Sequence, residues 1–303
     1  MRVAITGATG LLGRYLRLSR PTGSQIVAVS RTHLLQVERE GDASFLVDLA
    51  VAGSGAALMG QVQPDVVIHA AAEGRVDAVQ GNTVDHMQLN VMAASDLAAL
   101  CRERGFIFVF VSSNAVFGGS PTPYRDDSIH DPVNDYGILK SLAESAVMDA
   151  NPEALIIRPL LMYGLPFPWG RPNPVMQWAR ELGEGREVKV VNDVTTQPLW
   201  AGDCAAAIWA GIKEKAAGAI NVSGGESVTL FDLACRAADA FGLDTALVTP
   251  IESSTLTSIA PRPTSTAFDL HRLHDDLGLT PHRLKAGLAL LRDEYDWVMR
   301  SQA

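Results

Sequence analysis

Apolar residues recur along the chain in short unbroken runs, separated by longer stretches with helical spacing. Residues 3–5 begin the pattern, and the runs 25–30 (QIVAVS), 45–48 (FLVD), 65–70 (DVVIHA), 106–112 (FIFVFVS) and 154–158 (ALIIR) continue it. Most are apolar throughout rather than alternating, as expected of strands covered on both faces. The clearest intervening helix spans about 83–104, where Val84, Met87, Val91, Ala94, Ala98 and Cys101 repeat at three and four and form one buried stripe. Strand and helix alternating in this way predict an α/β fold, a doubly wound parallel sheet with right-handed crossovers. From about 159 the texture changes. LPFPWGRPNP (165–174) reads as a loop, followed by helices near 174–183, 203–213, 229–241 and 281–299 and short strands near 187–191 and 218–222. Residues 1–160 are therefore expected to form one domain. Residues 161–303 form mainly a smaller mixed α/β lobe, with about 187–215 returning to the first.

The first run leads into TGATGLLG, with Gly7, Gly10 and Gly13 spaced three apart and Leu11, Leu12 and Leu16 at helical spacing. A strand, a tight glycine turn and a helix N-terminus hold a pyrophosphate, because backbone N–H groups and the helix dipole face the anion. The second run ends at Val29-Ser30-Arg31 with no acidic residue. An acid there would bind the ribose 2′-hydroxyl of NAD, whereas a cation suits the 2′-phosphate of NADP. NADP(H) is the expected cofactor, with NAD(H) second. Asp48, after the third run, can accept from an adenine amino group or cap the helix that follows. His69, Ala70, Ala71 and Ala72 end the fourth run, small enough for the backbone to pass beneath a cofactor; His69 is read as structural.

Composition narrows the classes. Hydrophobic residues are 47% and charged residues 19% of 303, with a net charge of −9, which argues against a nucleic-acid surface. Cys101, Cys204 and Cys235 are scattered and odd in number, neither a disulfide framework nor a zinc site. With no apolar run near the ~18 residues of a membrane span and a strand beginning at residue 2, no signal segment or membrane partner is expected. The chain is read as cytoplasmic.

Tyr136 and Lys140 in YGILK are i, i+4 and share a helix face. A free tyrosine has a pKa near ~10; a nearby ammonium is expected to lower it, so that the phenol hands a proton to a carbonyl oxygen as hydride reaches the carbon. Ser112, Ser113 and Asn114 follow the strand at 106–111, where a hydroxyl can orient the same carbonyl.

These stretches resemble the extended short-chain dehydrogenase/reductases almost end to end. TGATGLLG, HAAAE, LNV around Asn90, VSSNAVFGG, YGILK, IIRPLLMYG, Asp203 in AGDCAAAI, GAINVSGGESVTLFDL and RPTSTAFDLHRL carry the likeness. Within the group the chain is similar to dTDP-4-dehydrorhamnose reductases and to the regulatory β-subunit of methionine adenosyltransferase. PYRDD (123–127) and the stretch from Arg262 to Asp269 support this. The resemblance implies reduction of a 4-keto group on a nucleotide-linked deoxysugar, with Ser113 orienting the carbonyl, Tyr136 the acid and Lys140 its partner on the nicotinamide ribose. The alternatives are a cofactor-binding regulatory subunit and, less favoured, an epimerase.

Cofactor contacts are expected from Gly7, Thr9, Gly10, Leu11, Leu12, Gly13, Ser30, Arg31, Asp48, Leu49, Ala70, Ala71, Ala72 and Asn90, with Tyr136 and Lys140. The reductases usually carry Asp-Tyr where this chain has Asn114-Ala115, and a tryptophan near Leu161-Met162. Glu73, Asn114, Asn173 and Trp200, with Trp169, are the candidate substitutes facing the substrate. His271, His274, Asp275 and Asp276 are read as a solvated helix, and no metal is expected. A homodimer through about 83–104 and 138–149 is a family expectation.

Overall fold

The computed structural model describes residues 1–257 and 259–302. Seven parallel strands form its main sheet, in the order Gly218–Val222, Leu155–Pro159, Ile107–Val111, Val66–His69, Arg2–Thr6, Gln25–Ser30, Ala43–Leu46. The chain leaves Arg2–Thr6 in one direction for the second and third strands, then returns to Arg2–Thr6 from the other side with Val66–His69. That reversal opens a crevice beyond the carboxyl ends of these two strands, where ligands of open α/β sheets bind. Thr6 and His69 face each other in register at its base.

Both faces of the sheet are covered, which explains the unbroken apolar runs. Val3 and Ile5 pack on one side with the Leu11–Leu18 and Ala201–Glu214 helices. Ala4 packs on the other with Ser54–Val62, Ala93–Arg104 and Asp135–Ala150. The long stripe at 83–104 is helical throughout but not one regular helix: Thr83–Met87 and Ala93–Arg104 flank a π turn at Gln88–Met92. Such a turn inserts an extra residue and commonly marks a functional position. Here it carries Asn90.

The 218–222 run is not part of the smaller lobe. It forms the edge of the main sheet, pairing from Gly218–Leu155 to Val222–Pro159. The Val188–Val191 strand, expected within the returning segment at about 187–215, does not join the main sheet but pairs in parallel with Val248–Ile251. The lobe packs the Pro174–Gly183, Leu230–Ala240 and Leu284–Gln302 helices around Tyr163, Leu233, Leu288 and Leu291. Its return to the sheet runs through Ala201–Glu214 and Gly218–Val222, two elements with no period or composition of their own to separate them from the lobe. No helix among the described residues is long and apolar enough to cross a membrane.

The Asp135–Ala150 helix presses closely on the loop after Ile107–Val111. Asn134 caps it by accepting from the Gly137 N–H at 2.9 Å. A Cβ on Gly137 would sit 2.0 Å from the Ala115 carbonyl oxygen. We expect Gly137→Ala to cost about 1–3 kcal/mol, the usual range for overpacking, read as a lowered midpoint of thermal unfolding. An unchanged midpoint would mean that this helix and loop are not held in contact.

Candidate functional site

The glycine turn forms a cradle that side chains would fill. Gly7 has φ +69°, and a Cβ there would lie 2.8 Å from the Ala70 carbonyl carbon and oxygen. A Cβ on Gly13 would meet the Gly7 carbonyl oxygen at 2.6 Å. The turn closes with Gly10 N–H donating to the Gly7 carbonyl at 2.9 Å. A cavity runs from it along the crevice. Gly7, Thr9 and Gly10 line one end, Ser30, Arg31, Asp48 and Leu49 the other, with Ala70, Ala71, Ala72 and Glu73 as its floor. Bare backbone at one end and a solvent-exposed guanidinium at the other fit an elongated dinucleotide carrying an extra phosphate. Asp48 also accepts from the Ala50 N–H at 2.9 Å, so it serves the local turn as well as lining the cavity.

Asn90 does not line this cavity. From its π turn it accepts from the Glu73 N–H at 2.8 Å and donates to the Glu73 carbonyl at 3.1 Å, clamping the loop that forms the cavity floor. Glu73 is in turn paired with Arg75 at 2.8 Å.

A second cavity joins the first at the glycines. Leu11, Leu12 and Gly13 lie on one wall, and Ser113, Asn114, Tyr136 and Lys140 on the other. Tyr136 and Ser113 line the same cavity, and the Ser113 hydroxyl is near enough to act on the phenol. Burial pushes the Tyr136 pKa up to about 12; the Ser113 contact opposes this and the Glu73 charge adds to it. This corrects the expectation that Lys140 lowers it. The ammonium is aimed elsewhere, donating to the Val111 carbonyl at 2.9 Å and lying 4.7 Å from the centre of the Phe110 ring. Tyr136 is therefore a protonated donor across the neutral range.

Three aromatic or polar candidates for the substrate lie away from this cavity. Trp200 packs edge-on against Tyr15 and His282, each with ring centres 5.7 Å away, and its indole N–H is buried. Trp169 stacks between Phe167 at 5.2 Å and His33 at 5.3 Å. Asn173 caps the Pro174–Gly183 helix and donates to the Gly164 carbonyl at 2.6 Å, which consumes both ends of its amide. Residue type suggested these three; the packing of the lobe decides otherwise. Asn114 lines both the Ser113–Tyr136 cavity and a third, larger one in the second lobe. Thr195, Thr196, Leu230, Arg262 and Pro263 line that cleft. Of these, Arg262 and Pro263 open the RP stretch and Leu230 lies in the GAINVSGGESVTLFDL stretch. The threonines lie in short strands without a recognisable pattern.

His69 lies beneath the junction, its Nδ1 2.8 Å from the Thr6 hydroxyl. Burial, then the Lys140 charge, lowers its pKa to about 3. The unfolded chain therefore takes up this proton first as pH falls. Stability is expected to decline from about pH 6.5 towards pH 3, by at most about 1.4 kcal/mol per pH unit. Between pH 6.5 and 5, denaturant unfolding of His69→Gln should show a flatter pH dependence than wild type; equal slopes would contradict a neutral His69.

A family model described as the RmlD substrate binding domain matches residues 1–296. A dTDP-4-keto-6-deoxy-D-glucose reductase of Streptomyces niveus is 31% identical over 93% of this chain and 93% of its own. Methionine adenosyltransferase 2 subunit beta of Bos taurus is 30% identical over 93% of this chain and 85% of its own. The crystal structure of a Bacillus anthracis dTDP-4-dehydrorhamnose reductase in complex with NADP superposes with a TM-score of 0.84 at 25% identity, covering 97% of this chain and 99% of that one. With the glycine cradle, the serine–tyrosine–lysine cavity and a match over nearly its whole length, the chain belongs to the RmlD substrate binding domain family.

Proposed function

We propose that this protein, an NAD(P)-dependent oxidoreductase of its family, reduces the 4-keto group of a 6-deoxy sugar nucleotide using NADPH. One observation carries the proposal: the cavity holding Ser113, Tyr136 and Lys140 opens towards the glycine cradle on one side and, through Asn114, towards the second-lobe cleft on the other. A carbonyl lodged between them lies beside both hydroxyls. NADPH, when bound, supplies the hydride.

The chain's own residues do the rest. Ser113 donates to the carbonyl oxygen and orients it. Tyr136 adds a second donor and gives up its proton as negative charge develops on that oxygen. The raised pKa of the free site is compatible with this role, because the proton is held until an oxyanion of comparable basicity forms. Lys140, fixed on the Val111 carbonyl, supplies a positive charge below the site. Thr195 and Thr196 offer hydroxyls to the nucleotide diphosphate in the cleft, which Arg262, paired with Asp77, also lines. We assign the substrate lobe to residues after about 160, apart from the helix and strand that return to the sheet. The exposed Ile138 and Leu142 on the Asp135–Ala150 helix suit the proposed homodimer.

The resemblance to a methionine adenosyltransferase subunit supports a regulatory reading. The reductase reading is preferred because the bacterial reductase is matched over more of its own length and because the cleft and the hydroxyl pair share one cavity wall.

Tyr136→Phe is expected to lower the rate of NADPH oxidation with a 4-keto-6-deoxy sugar nucleotide by about 10²–10⁴, equivalent to about 3–5 kcal/mol of barrier. An unchanged rate would exclude Tyr136 as the acid. Arg31→Ala should raise KM for NADPH about tenfold, the worth of one hydrogen bond to a charged group, and leave KM for NADH little changed. Equal effects on both cofactors would contradict a 2′-phosphate contact.

A further inference from the structure

Tyr136, Lys140 and Glu144 stand at i, i+4 and i+8 on the Asp135–Ala150 helix and share one face. Each meets a different residue at the end of the Ile107–Val111 strand. Tyr136 lines the cavity beside Ser113, Lys140 holds the Val111 carbonyl, and Glu144 accepts from the Ser112 hydroxyl. Three consecutive residues of the strand end thus lie against three consecutive turns of helix. The proposed reaction uses the first two contacts and leaves the third without a role.

Glu144 is buried, with 3% of its surface exposed, and ionised. Burial alone would push its pKa up. Contacts from His130, Arg158 and Ser112, with the Arg158 charge, outweigh burial and hold the carboxyl well below the usual range. Arg158 donates to it through Nε at 3.0 Å and Nη2 at 2.7 Å, and spends Nη1 on the Asp126 carbonyl at 2.9 Å. His130 Nε2 lies 3.4 Å from the same carboxylate.

We propose that Glu144 is a positioning residue for the reductase: its bond to Ser112 fixes the loop that presents Ser113, and its carboxylate, one turn along the same helix face, is the counter-charge to the buried Lys140 ammonium. The inference rests on the reading of Ser113, Tyr136 and Lys140 as the reacting set.

The electrostatics around Lys140 agree. Burial lowers its pKa to about 8 and Glu144 opposes the fall. The other ionisable groups facing it are Tyr136 on its own helix and His69 on the Val66–His69 strand, both uncharged at neutral pH. Arg158 and His130 reach it only through Glu144. Without the carboxylate none of these groups opposes that fall.

The test is a titration of Lys140 by NMR in protein labelled with 13C at the lysine Cε. The chain has five lysines, and the signal missing from Lys140→Arg assigns the one in question. In wild type Lys140 should titrate below the other four. In Glu144→Gln it should titrate lower by about one unit or more, the effect of losing an opposite charge one helical turn away, and the alkaline limb of kcat should move to lower pH with it. If Glu144→Gln does not fold because Arg158 is left unpaired, Glu144→Gln with Arg158→Gln is the alternative, and the same downward shift is expected. Ser112→Ala should reduce kcat with the Lys140 titration unchanged.

An unaltered Lys140 titration in the folded Glu144 variant, with only thermal stability lost, would overturn the proposal. Full activity in Tyr136→Phe would instead sink the catalytic reading, while the NMR titration would still decide what Glu144 does to Lys140.

Discussion

Lys140 donates its ammonium to the Val111 carbonyl, at 2.9 Å and out of contact with solvent. Removing a charge from water costs several kcal/mol, so the contact persists only because a backbone acceptor, an aromatic face and the Glu144 charge surround it. Its geometric effect is to lock the last residue of a central strand to the middle of a helix. With that register fixed, the residues one turn earlier on the helix and two further along the strand, Tyr136 and Ser113, come together over the crevice. Gly137 permits the approach, since no side chain fits between its Cα and Ala115.

The second lobe is tied down at two places on either side of this crevice. Tyr15, on the helix that follows the glycine turn, accepts from the Leu165 N–H at 2.9 Å and donates to Glu294 of the C-terminal helix; Arg14 pairs with the same carboxylate at 2.5 Å. Across the cleft, Asp77 accepts from Arg262 at 2.9 Å and from the Ala260 N–H at 3.1 Å. The loop bearing Arg262 is therefore anchored to the cofactor side of the molecule while it lines the cleft of the other lobe. These links give a physical basis for a site built from both lobes: the sheet supplies the cradle and the hydroxyls, the lobe supplies the cleft.

The sheet and cradle were legible in the sequence because their causes are local. A strand buried on both faces must be apolar throughout, and a backbone that turns against another backbone must be glycine, so the 25–30 run and Gly7, Gly10 and Gly13 announce themselves. The pairing of Tyr136 with Lys140 was legible for the same reason, as helix spacing. What was not legible depended on packing between distant segments. The 218–222 run could not reveal which sheet it joins. Trp200, Trp169 and Asn173 were plausible by residue type, yet Tyr15 and His33, remote in sequence, and the Gly164 carbonyl claim them. The direction of the Tyr136 pKa shift was missed because spacing placed Lys140 nearby but could not say that its ammonium points to Val111.

In the proposed reaction Ser113 and Tyr136 act as a single unit on one carbonyl oxygen. A double-mutant cycle on kcat/KM with Ser113→Ala, Tyr136→Phe and the pair tests it most directly, using a 4-keto-6-deoxy sugar nucleotide. Groups that work on the same atom give strongly non-additive losses, so the double variant is predicted to lose little more than the worse single variant. Losses that multiply would contradict the account, since the two hydroxyls would then be acting independently.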